Sequence, residues 1–383
     1  MITEKLFYRD GYMREFDAHV ISCEKTDGGY QVVLDRTGFF PEGGGQYADP
    51  GRLADAEVLD VQEKDGVIYH KVDAPLLEGG AVHGRLDWDV RFERMQQHTG
   101  EHIISGIVHG RFGYENVGFH LGSDYCTMDF NGPITREELK EIELEANKAV
   151  FRNLAVEVTY PSGEELADME YRSKIEIEGQ VRIVTVPGYD VCACCAPHLR
   201  STGEIGLIKL VNMINYKGGE RITMLCGFRA LKDYGIKDEN TKAISALLSA
   251  KEYEVAEAAA HLKEEAADLK GKLASLQQKL LSYRAAEIPV DDEVVVVFDS
   301  GLSRNAPREL MNLLLDRGAK ICAVFAGTDA EGYRYVIGSK ETDVRSLCKK
   351  LNEEFQGRGG GKPGMVQGSL HGTEAAIRTR IQS

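Results

Sequence analysis

From the N-terminus to about residue 90, apolar and polar positions alternate in short runs that are broken by turn residues. Val20-Ile21-Ser22 is followed by Asp27-Gly28-Gly29 and Tyr30-Gln31-Val32-Val33-Leu34, with further pieces around 58–61 and 67–71. Period-two alternation punctuated by glycine and aspartate predicts half-buried strands joined by tight turns. Residues 1–90 are therefore expected to form a small, barrel-like β domain. Between two of its strands lies Phe39-Phe40-Pro41-Glu42-Gly43-Gly44-Gly45-Gln46. Its three glycines remove side chains where a neighbour approaches the backbone; a flexible hairpin connection is the alternative.

At Arg91 the period becomes helical, with Phe92, Met95, His98, His102 and Ile103 to Ile107 on a segment ending near Gly110. A second helix is expected over 135–153, capped by Thr135, with Glu137 and Glu138 in the first turn where the helix dipole favours anions. Strand-like stretches follow at 156–158, 181–186 and 207–210. Helices and strands interleave without a regular β-α-β rhythm, so α+β is the expected class for 91–236. Residues 237–287 contain no proline. Leu248, Val255, Ala259, Leu262, Ala266, Leu269, Leu273, Leu276 and Leu280 follow a 4-3 spacing interrupted at Glu252. That pattern predicts a long coiled-coil-type helix, a spacer or a homodimer seam, on the order of 60 Å for ~40 residues. Beyond Pro289, a strand over 293–298, a helix over 308–317 and strands over 320–325 and 333–337 predict an α/β C-terminal domain, 288–383.

Composition narrows the function classes. The chain has 383 residues, 28% of them charged, and no apolar run approaches the ~18 residues of a membrane span, so no membrane partner is expected. The N-terminus lacks a basic stretch followed by an apolar one, so the expected compartment is the cytoplasm and the eight cysteines are expected to be thiols. The net charge of -15 weighs against a nucleic-acid partner. By segment, however, the balance is -9 for 1–90, -5 for 91–236, -1 for 237–287 and 0 for 288–383, while 345–383 hold 7 basic against 3 acidic side chains. This positive tip carries a run from Gln356 to Gly368 with six glycines in thirteen residues, Arg358 and Lys362 among them. Exposed backbone N–H groups beside basic side chains suit phosphate oxygens. Pro363 follows Gly361-Lys362 where a phosphate-binding P-loop has Ser or Thr. A solvated loop without a ligand is the alternative.

His98 and His102 are four apart on the first helix, so both imidazoles project from one face. Val191-Cys192-Ala193-Cys194-Cys195-Ala196-Pro197-His198 gathers three thiols and an imidazole after a strand and a Pro187-Gly188 turn. His98, His102, Cys194 and His198 together make a set suited to one Zn²⁺, with Cys192 and Cys195 as competing ligands. The isolated Cys23, Cys126, Cys226, Cys322 and Cys348 are read as small apolar side chains. His98-x-x-Glu101-His102 also matches an inverted zincin pattern, so a zinc-dependent peptidase is an alternative; such an enzyme needs a later carboxylate ligand, where this chain offers thiolate and imidazole.

Five motifs occur in order: Phe40-Pro41-Glu42-Gly43-Gly44-Gly45-Gln46 with Asp49-x-Gly51; Arg94-x-x-x-His98-Thr99-Gly100-Glu101-His102; Gly118-Phe119-His120-Leu121-Gly122; Cys194-x-x-x-His198-Leu199-Arg200-x-Thr202-Gly203-Glu204-Ile205-Gly206; and Gly357-x-Gly359-Gly360-Gly361. With them the chain resembles the stand-alone alanyl-tRNA editing proteins of long form, and the editing and C-terminal parts of alanyl-tRNA synthetase, over essentially its whole length. No aminoacylation module is expected, since the sequence opens on the β domain. The resemblance implies hydrolysis of tRNA(Ala) mischarged with serine, and glycine as a second substrate. It implies Zn²⁺ at His98, His102, Cys194 and His198; Glu101, next to a ligand, is the candidate general base, with a solvated helix carboxylate as the alternative. Thr99, Gln46 and His120 are candidates for contacts to the amino acid or the terminal ribose. Relatives often carry Gly-Gly-Thr where this chain has Cys195-Ala196-Pro197. The last domain resembles the DHH-associated domain, with Arg358, Gly359, Gly360, Gly361 and Lys362 expected to meet the tRNA. A non-catalytic tRNA-binding module with structural zinc is the remaining alternative.

Overall fold

In the computed structural model, which describes residues 2–173, 180–303 and 305–382, the first 90 residues contribute β1 (Glu4–Lys5), β2 (Glu15–Thr26), β3 (Gly29–Leu34), β4 (Arg36–Thr37), β5 (Gly51–Leu53), β6 (Ala56–Lys64), β7 (Val67–Val72) and β8 (Ala81–Leu86). Six of these close a barrel in the order β2-β3-β7-β6-β5-β8, with every neighbouring pair antiparallel. Alternate residues point inward: Phe16, Ala18 and Val20 of β2 and Val82, Gly84 and Leu86 of β8 are buried, while the residues between them face water. Asp65 and Gly66 both have positive φ, 53° and 77°, which matches the right-handed twist of the hairpin they join.

The chain then enters α1 (Trp88–Phe112). The Asp87 side chain accepts from the Val90 N–H at its start, and left-handed Gly113, φ 71°, closes its end. β9 (Asn116–Leu121), β10 (Cys126–Phe130), α2 (Arg136–Arg152), β11 (Glu157–Thr159), α3 (Gly163–Ala167), β12 (Ile183–Val186), β13 (Asp190–Ala193), β14 (Ile208–Tyr216) and β15 (Gly219–Cys226) follow. Thr135 and Glu138 form a reciprocal capping box at the start of α2. The strands form two antiparallel sheets, β14-β15-β10-β9 and β11-β12-β13. α1 runs through the core, with Met95, Ile103, Ile104 and Val108 buried in one cluster with Met128, Ile222 and Met224. Two glycines set how closely it packs: a Cβ on Gly100 would lie 2.4 Å from Cys226 Sγ, and one on Gly106 would lie 2.1 Å from the Tyr189 carbonyl oxygen.

The helix expected over 237–287 is two helices in the structure. α4 (Gly227–Leu248) ends at Ser249, whose φ is 51°, a tight turn occupies Glu252–Glu254, and α5 (Val255–Glu287) starts afresh. The break falls where Glu252 interrupts the 4-3 pattern. Leu262, Leu269, Leu273, Leu276 and Leu280 are exposed along α5, whereas Leu281 and Ala285 are buried. Residues 1–243 and 244–383 form two compact units, and their boundary falls inside α4.

In the second unit, β16 (Val294–Phe298), α6 (Ala306–Asp316), β17 (Ile321–Thr328), β18 (Gly332–Ser339), α7 (Arg345–Glu354), β19 (Arg358–Lys362), β20 (Met365–Leu370) and α8 (Glu374–Gln382) build a sheet of order β16-β17-β18-β20-β19. β16 and β17 are parallel and the other pairs antiparallel. α6 and the end of α5 cover one face, and α7 and α8 cover the other. The glycine-rich stretch read as a loop is a hairpin of β19 and β20. Its glycines let the strand lie flat: a Cβ on Gly359 would sit 2.2 Å from Tyr335 Oη. Among the described residues, no helix is long and apolar enough to cross a membrane.

Candidate metal centre

Four side chains from two distant segments converge at one point. His98 and His102, one turn apart on α1, meet Cys194 and His198, which lie just beyond β13. One donor atom from each lies within 4.8 Å of the others. Cys194 Sγ is 3.5 Å from His98 Nε2 and 3.4 Å from His198 Nε2. His98, His102 and His198 are all buried, with relative exposures of 3%, 2% and 6%. This group can hold a metal ion.

Each imidazole is oriented from behind through Nδ1. His98 Nδ1–H donates to Gln46 Oε1 at 3.0 Å, His198 Nδ1–H to Thr99 Oγ1 at 3.2 Å, and His102 Nδ1 lies 2.9 Å from the Asp190 carboxylate. These contacts leave the three Nε2 atoms facing the shared point, which is how histidine ligands are commonly fixed. Thr99 also accepts from the Leu199 N–H at 3.1 Å, tying the Cys194–His198 turn to α1.

The thiols that were equivalent in the sequence are separated by their surroundings. Burial by itself pushes the Cys194 thiol up, but its electrostatic and hydrogen-bond contacts with the surrounding imidazoles outweigh it and hold it well below the ordinary thiol range. Burial raises the Cys192 thiol to about 11, so it stays protonated. Cys195 is exposed and lies outside the group, against Gly44: a Cβ on Gly44 would be 3.4 Å from its sulfur. Thiolate is the ligating form, which singles out Cys194. His198 is driven down to about 3 by burial and by His102, so it is neutral and available as a ligand.

Glu101 is not solvated on the helix surface. It is 2% exposed, with Oε1 accepting from Ser105 Oγ at 2.7 Å and Asn116 Nδ2 at 2.6 Å, while Oε2 lies 3.9 Å from His102 Nε2. It lines a cavity of about 590 Å³ together with His98, His102, Cys194, Tyr8, Phe119, Tyr160 and Arg182. That size suits a small organic group. Gln46 and Thr99, expected at the substrate, are 1% and 0% exposed and stand behind His98 and His198. His120 is exposed and packs edge-on against Tyr47, with ring centroids 5.6 Å apart, outside this cavity.

The three glycines before Gln46 act within the chain. Gly44 and Gly45 have φ of 60° and 81°, and a Cβ on Gly45 would lie 2.5 Å from the Phe119 carbonyl oxygen. The backbone that approaches them is β9, with Leu121 N–H donating to Gly45 O at 2.8 Å. Asp190, Ser105, Asn116 and Arg182 escaped the sequence reading, because isolated polar residues on four different segments carry no spacing signal. Arg182 Nη1 donates to Cys194 O at 2.7 Å and Ala196 O at 3.0 Å, and so holds the ligand turn.

Three family models match separate stretches of the chain. Residues 11–90 match tRNA synthetases class II (A), 181–226 match the threonyl and alanyl tRNA synthetase second additional domain, and 291–380 match the DHHA1 domain. The alanyl-tRNA editing protein Aarsd1 of Rattus norvegicus is 29% identical over 402 aligned positions, covering 99% of this chain and 96% of that one. The alanyl-tRNA editing protein AlaX-L of Pyrococcus horikoshii is 35% identical over 243 positions, covering 60% of this chain and 59% of that one. The chain belongs to the alanyl-tRNA editing family. The alanine–tRNA ligase of Pyrococcus furiosus is 37% identical over 279 positions, 69% of this chain but 30% of the ligase. The matches to the ligase and to AlaX-L thus span less than two thirds of those proteins, while the rat editing protein is matched nearly end to end. In this chain the segment between Cys194 and His198, Cys195-Ala196-Pro197, is anchored by Arg182, and Ala196 is buried in the same apolar cluster as Phe40.

Proposed function

We propose that this protein is an aminoacyl-tRNA deacylase that frees tRNA(Ala) from serine, and from glycine as a second substrate, at a zinc-containing site. The observation that carries this reading is the convergence of three oriented imidazoles and the Cys194 sulfur on the wall of a cavity that Glu101 also lines. Zinc fits the donor set. With Zn–N of about 2.0 Å and Zn–S of about 2.3 Å, tetrahedral ligands lie roughly 3.5 Å apart, which agrees with the Cys194 to His98 and His198 separations of 3.5 and 3.4 Å. One ion per chain, bound there, would supply positive charge beside the scissile ester.

The chain's own residues divide the remaining work. Ser105 and Asn116 hold Glu101 through Oε1 and so fix its carboxylate on the cavity wall, where it serves as the base that takes a proton from water as the water attacks the ester carbonyl carbon. The bond from that carbon to the ribose oxygen of the terminal adenosine then breaks, and the proton passes to the departing oxygen. Tyr8, Phe119 and Tyr160 give the cavity apolar walls for the nucleoside. The need for such a site is physical: a synthetase pocket sized for a methyl group admits glycine and rejects an added hydroxyl by only ~10²-fold.

The second unit is proposed to grip the tRNA body. β19, from Arg358 through Gly359, Gly360 and Gly361 to Lys362, is exposed at the edge of its sheet, and a cavity of about 460 Å³ beside it is lined by Arg345 and Lys349 of α7. Edge-strand backbone groups next to cations suit phosphates.

The test is deacylation of seryl-, glycyl- and alanyl-tRNA(Ala) with and without a chelator. The Cys194→Ala/His198→Ala double variant is expected to lose bound zinc and serine release; unchanged serine release in that variant defeats the assignment.

A further inference from the structure

Arg172 and Asp190 form a charged pair that chain folding alone does not require. Asp190 Oδ1 accepts from Arg172 Nε at 2.7 Å, and Oδ2 accepts from Arg172 Nη2 at 2.9 Å. The side chains are 9% and 1% exposed. Removing two charges from water is costly, and a buried ion pair can often be replaced by apolar residues without loss of stability. Its presence therefore asks for another reason, and its third member supplies one: the same Asp190 Oδ2 lies 2.9 Å from His102 Nδ1.

The surrounding backbone holds this trio in place. The Arg172 N–H donates to Val191 O at 2.8 Å and its carbonyl accepts from the Ala193 N–H at 2.9 Å, so Arg172 is docked against the strand that carries Asp190. On the other side, Gly106 lets α1 approach the Tyr189–Asp190 backbone, where a Cβ would lie 2.1 Å from Tyr189 O and 2.8 Å from Asp190 Cβ. His98 and His198, by contrast, lean on neutral partners, Gln46 and Thr99. Of the three imidazoles, His102 faces a carboxylate through Nδ1 among the described residues.

We propose that Arg172 and Asp190 are positioning residues for the metal, making His102 its firmest imidazole ligand: Arg172 fixes the carboxylate, and the carboxylate fixes the ring and strengthens Nε2 as a donor. The inference rests on the metal reading above. Neither residue is one of the four side chains that converge at the shared point.

The experiment is chelator competition for Zn²⁺ with the full-length apoprotein, alongside the melting temperature of each metal-free variant. Asp190→Ala is expected to weaken Zn²⁺ binding by about 10–100-fold. Asp190→Asn, which keeps the shape of the side chain but not its charge, should lose less, and Arg172→Lys should retain more affinity than Arg172→Ala. Wild-type affinity in a folded Asp190→Ala variant overturns the proposal. Should Asp190→Ala fail to fold, Asp190→Asn decides: weakened binding with an intact metal-free fold supports the proposal, and wild-type affinity overturns it. A wild-type protein that binds no Zn²⁺ overturns the metal reading itself, a result distinct from wild-type binding that Asp190→Asn leaves undiminished.

Discussion

Gln46 reaches His98 across 52 positions of sequence, its Oε1 accepting from His98 Nδ1–H at 3.0 Å in a setting where the glutamine is 1% exposed. The barrel thus contributes to the metal centre through a residue that never reaches the cavity. Gln46→Ala is expected to weaken Zn²⁺ binding by about 10–100-fold, the usual effect of losing a partner behind a histidine ligand. Competition with a chromophoric chelator measures it. Wild-type affinity would show that the contact orients nothing.

Glu101→Gln separates proton transfer from metal binding. The amide keeps the shape of the side chain but cannot take a proton, so deacylation of seryl-tRNA(Ala) should fall by about 10²–10⁴-fold while zinc content stays at one per chain. The paired readout is single-turnover deacylation and metal analysis on the same sample. Full activity in this variant would remove Glu101 from the role of base.

Arg91 and Asp49 form a second buried pair, both 0% exposed at the side chain. Arg91 Nε donates to Asp49 Oδ2 at 2.9 Å, Nη1 to Gly11 O at 2.9 Å and Nη2 to Gly38 O at 2.8 Å, while Asp49 Oδ2 also accepts from the Phe40 N–H at 2.7 Å. The pair clamps both ends of the segment that carries Gln46. Arg91→Ala would strip the buried carboxylate of its hydrogen-bonded cation and leave it only Arg94, whose Nη1 lies 3.8 Å from Asp49 Oδ1, and is expected to destabilise the first unit by about 3–5 kcal/mol. Urea unfolding tests this, and a loss under about 1 kcal/mol would contradict it.

His70 predicts an acid weakness in the barrel. Burial lowers its pKa to about 4, although a contact to the Val32 carbonyl works the other way. In the unfolded chain the imidazole returns to about 6.5. Between those values the unfolded chain takes up a proton that the folded one refuses, so stability falls as pH drops from about 6.5 towards 4, by up to about 3 kcal/mol from this group. Above about pH 7 both states are neutral and the effect vanishes. Urea unfolding of the wild type and His70→Gln near pH 7 and near pH 5 checks the sign. An equal pH dependence in the two proteins would show that His70 is not its source.

Periodicity and spacing by themselves determined the strand-rich front, helix α1 with His98 and His102 on one face, the capped α2 and the alternating strands and helices at the end. Those features depend on contacts within a few residues, where the 3.6 and 2.0 repeats act directly. The pairing of His98 and His102 with the cysteine-rich turn was also legible, because few arrangements of reduced thiols and imidazoles have another use. Tertiary structure alone decided which thiol belongs to the group, since Cys192, Cys194 and Cys195 differ in environment and not in spacing. It also moved Gln46 and Thr99 from the substrate to the backs of two imidazoles, set His120 outside the cavity, turned the glycine-rich tail into an edge hairpin and supplied Asp190, Arg172, Ser105 and Asn116. Burial, charge and hydrogen-bond direction arise between segments that are far apart in the chain, and no local repeat encodes them.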